Sequence, residues 1–182
     1  MFDPKLLEAD AVTMGFSVDG VDFGLWEIQH EEFPQDRQAC SHKIKRCAAK
    51  YLIVLSTSEA KCLQIVGPEK GGVTDNTMMK NSGILEKLVE AGKVCSGDLG
   101  FRMKEIEFQK VMSLPDYMDE KELHQFKTRM RLRQETFNSR LKFFRTLSET
   151  FEYGFTKHEL VLHAVAVTVQ YQMDLGSPIF DV

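Results

Sequence analysis

The sequence predicts a mixed α/β domain, a sheet covered by helices, on three observations. Apolar, β-branched segments bounded by turn residues crowd the first half of the chain. Helix-period patterns with capping residues dominate the second half. No internal repeat, low-complexity tract or interdomain linker divides the 182 residues, so 1–182 is read as a single domain.

The elements follow in order. Residues 14–28, MGFSVDGVDFGLWEI, mix β-branched, aromatic and glycine residues and predict one or two strands near an Asp-Gly pair. KYLIVLST (50–57) and KCLQIV (61–66) are short apolar runs joined by a polar turn, the pattern of a hairpin. GPEKGG (67–72) has loop composition, and Thr74-Asp75 can cap a helix running through Met78, Ile84, Leu85 and Leu88. Gly92 ends that helix, and KVCS (93–96) reads as a short buried strand. Beyond a variable stretch holding Pro115, a long helix is expected from about Asp119 to Ser148 and a last one from about Thr156 to Met173.

Composition narrows the classes. The chain is 43% hydrophobic and 27% charged, with a formal net charge of -4, which excludes collagen-like, disordered and disulfide-scaffold proteins. A chain of this length hides roughly 70% of its unfolded surface and needs no metal merely to hold a core. MFDPKLLEADAV does not read as a secretory signal, and the longest apolar run, Leu160 to Val169, is too short for a bilayer, which takes about 20 residues. A soluble, intracellular protein without membrane partners is expected. Cys40, Cys47, Cys62 and Cys95 contain no CxxC pair and are read as free thiols; zinc on Cys40, His42 and Cys47 would lack a fourth ligand.

Charge is unevenly spread. In KTRMRLRQETFNSRLKFFR (127–145), Lys127, Arg129, Arg131, Arg133, Arg140, Lys142 and Arg145 stand against one acid, Glu135. Such an excess suggests a surface that meets polyanions, with a solvated helix face as the alternative.

Three acids sit where packing does not call for them. Asp19 lies inside the apolar strand region, Asp98 follows KVCS between two glycines, and Glu135 is alone in the basic helix. Converging carboxylates repel one another, and divalent cations would resolve the conflict. At 100° per residue, Met130, Phe137, Leu141 and Phe144 share one side of the helix, while Thr128, Arg131, Asn138, Ser139 and Lys142 surround Glu135 on the other. Each acid also has a bland explanation: Asp19 in an Asp-Gly turn, Asp98 in an ordinary loop, and Glu135 in a surface pair with Arg131 or Lys142.

Other signals are set aside. HELVLH (158–163) has five-residue His spacing, which puts the rings about 140° apart, unlike a zinc-binding HExxH helix. GPEKGG lacks the Gly-Lys-Ser/Thr ending of a phosphate loop, and no Gly-x-Ser-x-Gly elbow occurs. In Ser41-His42-Lys43 the histidine is read as an exposed loop residue, with proximity of the three to an active centre as the alternative.

SVDGVDF around Asp19, GGVTDNTMMKNSGIL with Asp75, VCSGDLGF around Asp98, RLRQETFNSRLKFFRTL around Glu135 and the closing HAVAVTVQYQ stand in a telling order. Together they resemble the catalytic domain of DDE transposases, in particular the Harbinger-type (PIF/Harbinger) DDE superfamily endonucleases, over nearly the whole chain. The resemblance implies a ribonuclease H-like mixed sheet flanked by helices. It implies that Asp19, Asp98 and Glu135 hold two Mg²⁺ or Mn²⁺ ions, with Asp19 bridging them on the central strand. In that scheme, metal ions about 4 Å apart activate the nucleophile and stabilise the leaving oxygen as a DNA phosphodiester is cut. Asp75 matches another recurrent aspartate and is read chiefly as a helix N-cap.

Further expectations rest on the same resemblance. Arg131, Asn138 and Lys142, beside Glu135, would contact DNA phosphates. A nuclear location is implied. Relatives carry an N-terminal helical DNA-binding region that is not seen here, so a DNA-binding partner protein could supply recognition. The alternative function is a domesticated or truncated, catalytically inactive DNA-binding or protein-interaction module.

Overall fold

The computed structural model describes residues 13–26, 37–102 and 104–179. Five strands form one mixed sheet: β1 (Thr13–Gly24), β2 (Ala48–Ser56), β3 (Cys62–Lys70), β4 (Lys93–Ser96) and β5 (Met112–Ser113). Their order is β3-β2-β1-β4-β5. The first three are antiparallel, whereas β4 runs parallel to β1 and β5 parallel to β4. The helices are α1 (Asp75–Asn81), α2 (Ile84–Ala91), α3 (Ile106–Gln109), α4 (Lys121–Phe143), α5 (Arg145–Ser148) and α6 (Phe155–Asp174). The result is an α/β fold, a mixed sheet flanked by helices and consistent with the ribonuclease H-like expectation.

β2 reads as a nearly unbroken apolar run because helices cover both faces of the sheet. Ala49, Tyr51, Ile53 and Leu55 pack with Phe137 and Leu141 of α4 and Leu162 and Val169 of α6. Leu52 and Val54, pointing the opposite way, pack with Met78, Met79, Leu85 and Leu88 of α1 and α2. The alternation of side chains along one strand thus separates two cores. Within α6, His158 is fully buried with its Nδ1 2.8 Å from the Tyr51 hydroxyl, while His163 is exposed. Burial pushes the His158 imidazole down to about 4. The two histidines of HELVLH therefore lie on different faces.

Several local expectations change. Asp19-Gly20 is no turn: β1 is continuous there, and Asp19 lies opposite Ile53 in the ladder. Glu27 and Ile28, the end of the expected strand segment, fall outside the described residues. Residues 67–70 of the supposed GPEKGG loop belong to β3, where the register shifts near Lys50 and Leu52. Pro68 is tolerated because β3 is an edge strand and an irregular register frees it from donating. The single helix expected after Thr74 is two, divided where Gly83 takes a left-handed φ of 69°. Thr74, not Asp75, is the N-cap, its hydroxyl accepting from the Thr77 N–H. The long basic helix stops at Phe143, because Phe144 is extended, and α5 follows as a separate turn.

The basic run of α4 is not the open cationic surface its composition suggested. Arg133 is 2% exposed and donates to the carbonyls of Thr57 and Glu59. Lys127 is buried against the Asp119 carboxylate at 2.9 Å and the Leu114 carbonyl at 2.8 Å. Arg140 donates to the carbonyls of Ser177 and Pro178, and Arg145 pairs with Glu149 at 2.8 Å. Charge counted along the chain overstates charge presented to solvent, since Arg133 and Lys127 are buried and Arg140 is tied to the chain's end, while Arg145 stays exposed beside Glu149. No described helix is long and apolar enough to cross a membrane.

Candidate active site

Two side-chain bridges fix α4 against β1. Ser17 Oγ donates to Gln134 Oε1 at 2.9 Å, and Asn138 Nδ2 donates to Asp19 Oδ2 at 2.7 Å. Two residues of strand advance nearly 7 Å and four residues of helix about 6 Å, so the paired positions keep step. Gln134 also donates to the Ile53 carbonyl at 3.0 Å, tying the helix to β2. Asn138 is therefore buried at 9% exposure rather than on the solvent face beside Glu135. The buried stripe of α4 includes Gln134 and Asn138 because the polar end of β1 offers them partners.

Asp98 is brought in by the parallel register of β1 and β4. Ser17 lies opposite Ser96, and Asp19 and Asp98 each come two residues later, at the same end of adjacent strands. Asp98 Oδ1 accepts from Gly100 N–H at 2.8 Å, capping the 3-10 turn at Leu99–Phe101. The ordinary loop role expected of Asp98 is thus present alongside its placement. Glu135, next in sequence to Gln134, turns toward the same opening, where its Oε1 meets Arg131 Nε at 3.0 Å. The two side chains are largely exposed, and such i,i+4 pairs contribute well under ~1 kcal/mol.

Asp19, Asp98 and Glu135 all line one cavity of about 570 Å³, with Lys43, Lys127 and Arg131 as its cations. Asp75 stands behind this group on the far side of β1. A side chain at Gly20 would displace its carboxylate, whose Oδ1 lies 3.1 Å from Lys50 Nζ. Arg131 lines the cavity, whereas Lys142 is half-buried with its ammonium 5.6 Å from the Phe23 ring centre. Lys43 and Lys127 were not singled out as site residues. The Ser41-His42-Lys43 motif was the available signal for Lys43; nothing local marks Lys127.

Burial pushes the Asp19 carboxyl up to about 6; nearby Lys43 lowers it, while Asp98 and Asp75 raise it further. Asp19 therefore keeps its proton well above the ordinary 3.8. Stability from this group is complete below about pH 4 and is lost as pH rises through about 6, on the order of 3 kcal/mol. In EDTA, the melting temperature of the wild type is expected to fall over this window relative to Asp19→Asn. Parallel curves for the two proteins between pH 4 and 8 would contradict this.

The donor set consists of hard carboxylate oxygens, and the mutual repulsion of Asp19 and Asp98 is of the kind a hard divalent cation relieves. Among the described residues, no group of three His, Cys, Asp or Glu side chains is arranged to hold a metal ion. The chemistry of the donors fits such an ion, while Glu135 is engaged by Arg131.

A family model described as DDE superfamily endonuclease matches residues 18–170. No curated protein and no solved structure matches the chain.

Proposed function

Because the chain belongs to the DDE superfamily endonucleases, we propose that it cuts DNA phosphodiester bonds, as nuclease or transposase, with Asp19, Asp98 and Glu135 holding divalent cations. The observation that carries this reading is the convergence of these three acids, from β1, the end of β4 and α4, on one cavity. Nucleases of this superfamily typically use divalent metals; Mg²⁺ or Mn²⁺, two ions, would activate the nucleophile and stabilise the leaving oxygen.

The chain's own residues do the rest. Asn138 orients the Asp19 carboxylate, and the turn capped by Asp98 holds that side chain at the cavity edge. Arg131, once its pairing with Glu135 is exchanged for a phosphate, positions DNA without reading sequence. Lys142 adds positive potential from beneath. We assign the chain to the Harbinger type on its motif order, with residues 1–182 as one catalytic domain and the nucleus as its place of action.

The test is nicking of supercoiled plasmid in Mg²⁺ or Mn²⁺ against EDTA. Nicked circles are expected from the wild type with metal only, and Glu135→Gln is expected to lose at least a hundred-fold in rate. A second reading, DNA binding without cutting, is favoured by the Arg131–Glu135 pair, which occupies one expected ligand. Metal-independent binding with no nicking would support that reading and defeat the first.

A further inference from the structure

The turn at residues 41–46, before β2, is held down by a buried acid. Asp22 is 4% exposed on β1, and its Oδ2 accepts from the Ser41 hydroxyl at 2.6 Å. Ser41, itself 2% exposed, accepts through the same oxygen from the N–H groups of Lys43 at 3.0 Å and Ile44 at 3.2 Å. Its own N–H donates to the Arg46 carbonyl, and its carbonyl accepts from Lys45. These bonds fix the backbone turn that carries Lys43 to the cavity wall.

Lys43 differs from the other cations lining that cavity. Lys127 is bound to Asp119 and Arg131 to Glu135. The ammonium of Lys43 makes no hydrogen bond and no ion pair within 4.0 Å among the described residues. It lies close enough to Asp19 and to Lys142 to affect the ionisation of both. Lys43 and the half-buried Lys142 stand near Asp19 and Asp22, and of these two cations Lys43 is the exposed one, which an incoming anion can reach. A DNA phosphate is such an anion, and lysine binds it as a flexible point charge.

We propose that Lys43, positioned by the buried Asp22–Ser41 anchor, contacts a backbone phosphate of DNA entering the cavity. This rests on the DNA-cutting reading above and adds a phosphate subsite from that turn. Ser41 acts through Lys43 and is a positioning residue.

The experiment measures binding of a 30-base-pair duplex in EDTA as a function of salt. Loss of one phosphate contact reduces the slope of log K against log salt by about 0.9. Lys43→Gln is expected to show that loss, Lys43→Arg to retain the wild-type slope, and Lys87→Gln, on the exposed side of α2, to change nothing. Ser41→Ala is expected to weaken binding, and Ser41→Ala with Lys43→Gln to bind no more weakly than Lys43→Gln alone. A wild-type slope in Lys43→Gln, or additive losses in the double variant, overturns the proposal while the nuclease reading stands. If the wild type binds no duplex in EDTA, the proposal falls; if it binds none in Ca²⁺ either, the DNA-cutting reading falls with it.

Discussion

Asp98→Asn is expected to abolish metal-dependent nicking, with a loss on the order of 10³ in rate, and to remove the stabilisation that Mg²⁺ or Mn²⁺ gives the wild type. Metal ions at a phosphodiester contribute several kcal/mol of transition-state stabilisation, and each 1.36 kcal/mol is tenfold. Asparagine keeps the size of aspartate and can still accept from Gly100 N–H, the bond that Asp98 Oδ1 makes at 2.8 Å. The fold is therefore expected to survive the change, leaving the loss of negative charge as the cause. A cation at a hundred times its Kd stabilises the native state by about 2.7 kcal/mol. For a chain of this length that corresponds to roughly 5–10 °C in Tm. Thermal unfolding with and without 10 mM metal checks the point independently of cleavage. A wild-type curve unmoved by metal, or an Asp98→Asn curve that moves equally, would remove Asp98 from the site.

What could be read from the chain depended on the range of the interaction. β2 and β4 were legible because an apolar run between turn residues is a local pattern, and Gly92 stopped α2 where a left-handed cap was expected. The fate of Asp19-Gly20 was not local: whether that pair turns or continues is decided by Ile53, opposite it on β2. The nearness of Asp98 to Asp19 comes from the parallel register of two strands separated by a hairpin and two helices, which no spacing rule within either segment contains. Their place in the site was reached through resemblance, not through packing. Asn138 was placed with the polar face of α4 because helix periodicity cannot show that a strand carboxylate waits at that height. Lys43 cannot be placed from its own motif, because its turn depends on Asp22, a strand residue buried by the rest of the fold.

Arg133→Ala is expected to lower stability by about 3 kcal/mol, or roughly 6–12 °C in Tm, without a selective effect on DNA binding. The sequence groups Arg133 with the polyanion-facing cations, yet the side chain is 2% exposed and its guanidinium donates to the carbonyls of Thr57 and Glu59. Those carbonyls end β2 and begin its turn toward β3, where the ladder leaves acceptors in need of donors. Truncation takes the guanidinium from the Thr57 carbonyl and opens space beneath α4, while the Glu59 carbonyl still accepts from the Lys61 N–H; an unsatisfied group costs about 1–3 kcal/mol and the emptied space adds to it. Arg133→Lys is expected to recover only part of the loss, because one ammonium cannot reproduce a planar fork reaching two carbonyls. Arg131→Ala, two residues earlier on the exposed side, is expected to change stability by less than ~1 kcal/mol. Denaturant unfolding of the three variants separates these outcomes. A stable Arg133→Ala protein with a salt slope for DNA binding reduced by about 0.9 would show instead that this arginine reaches phosphate, and that the helix presents more of its charge than its packing allows.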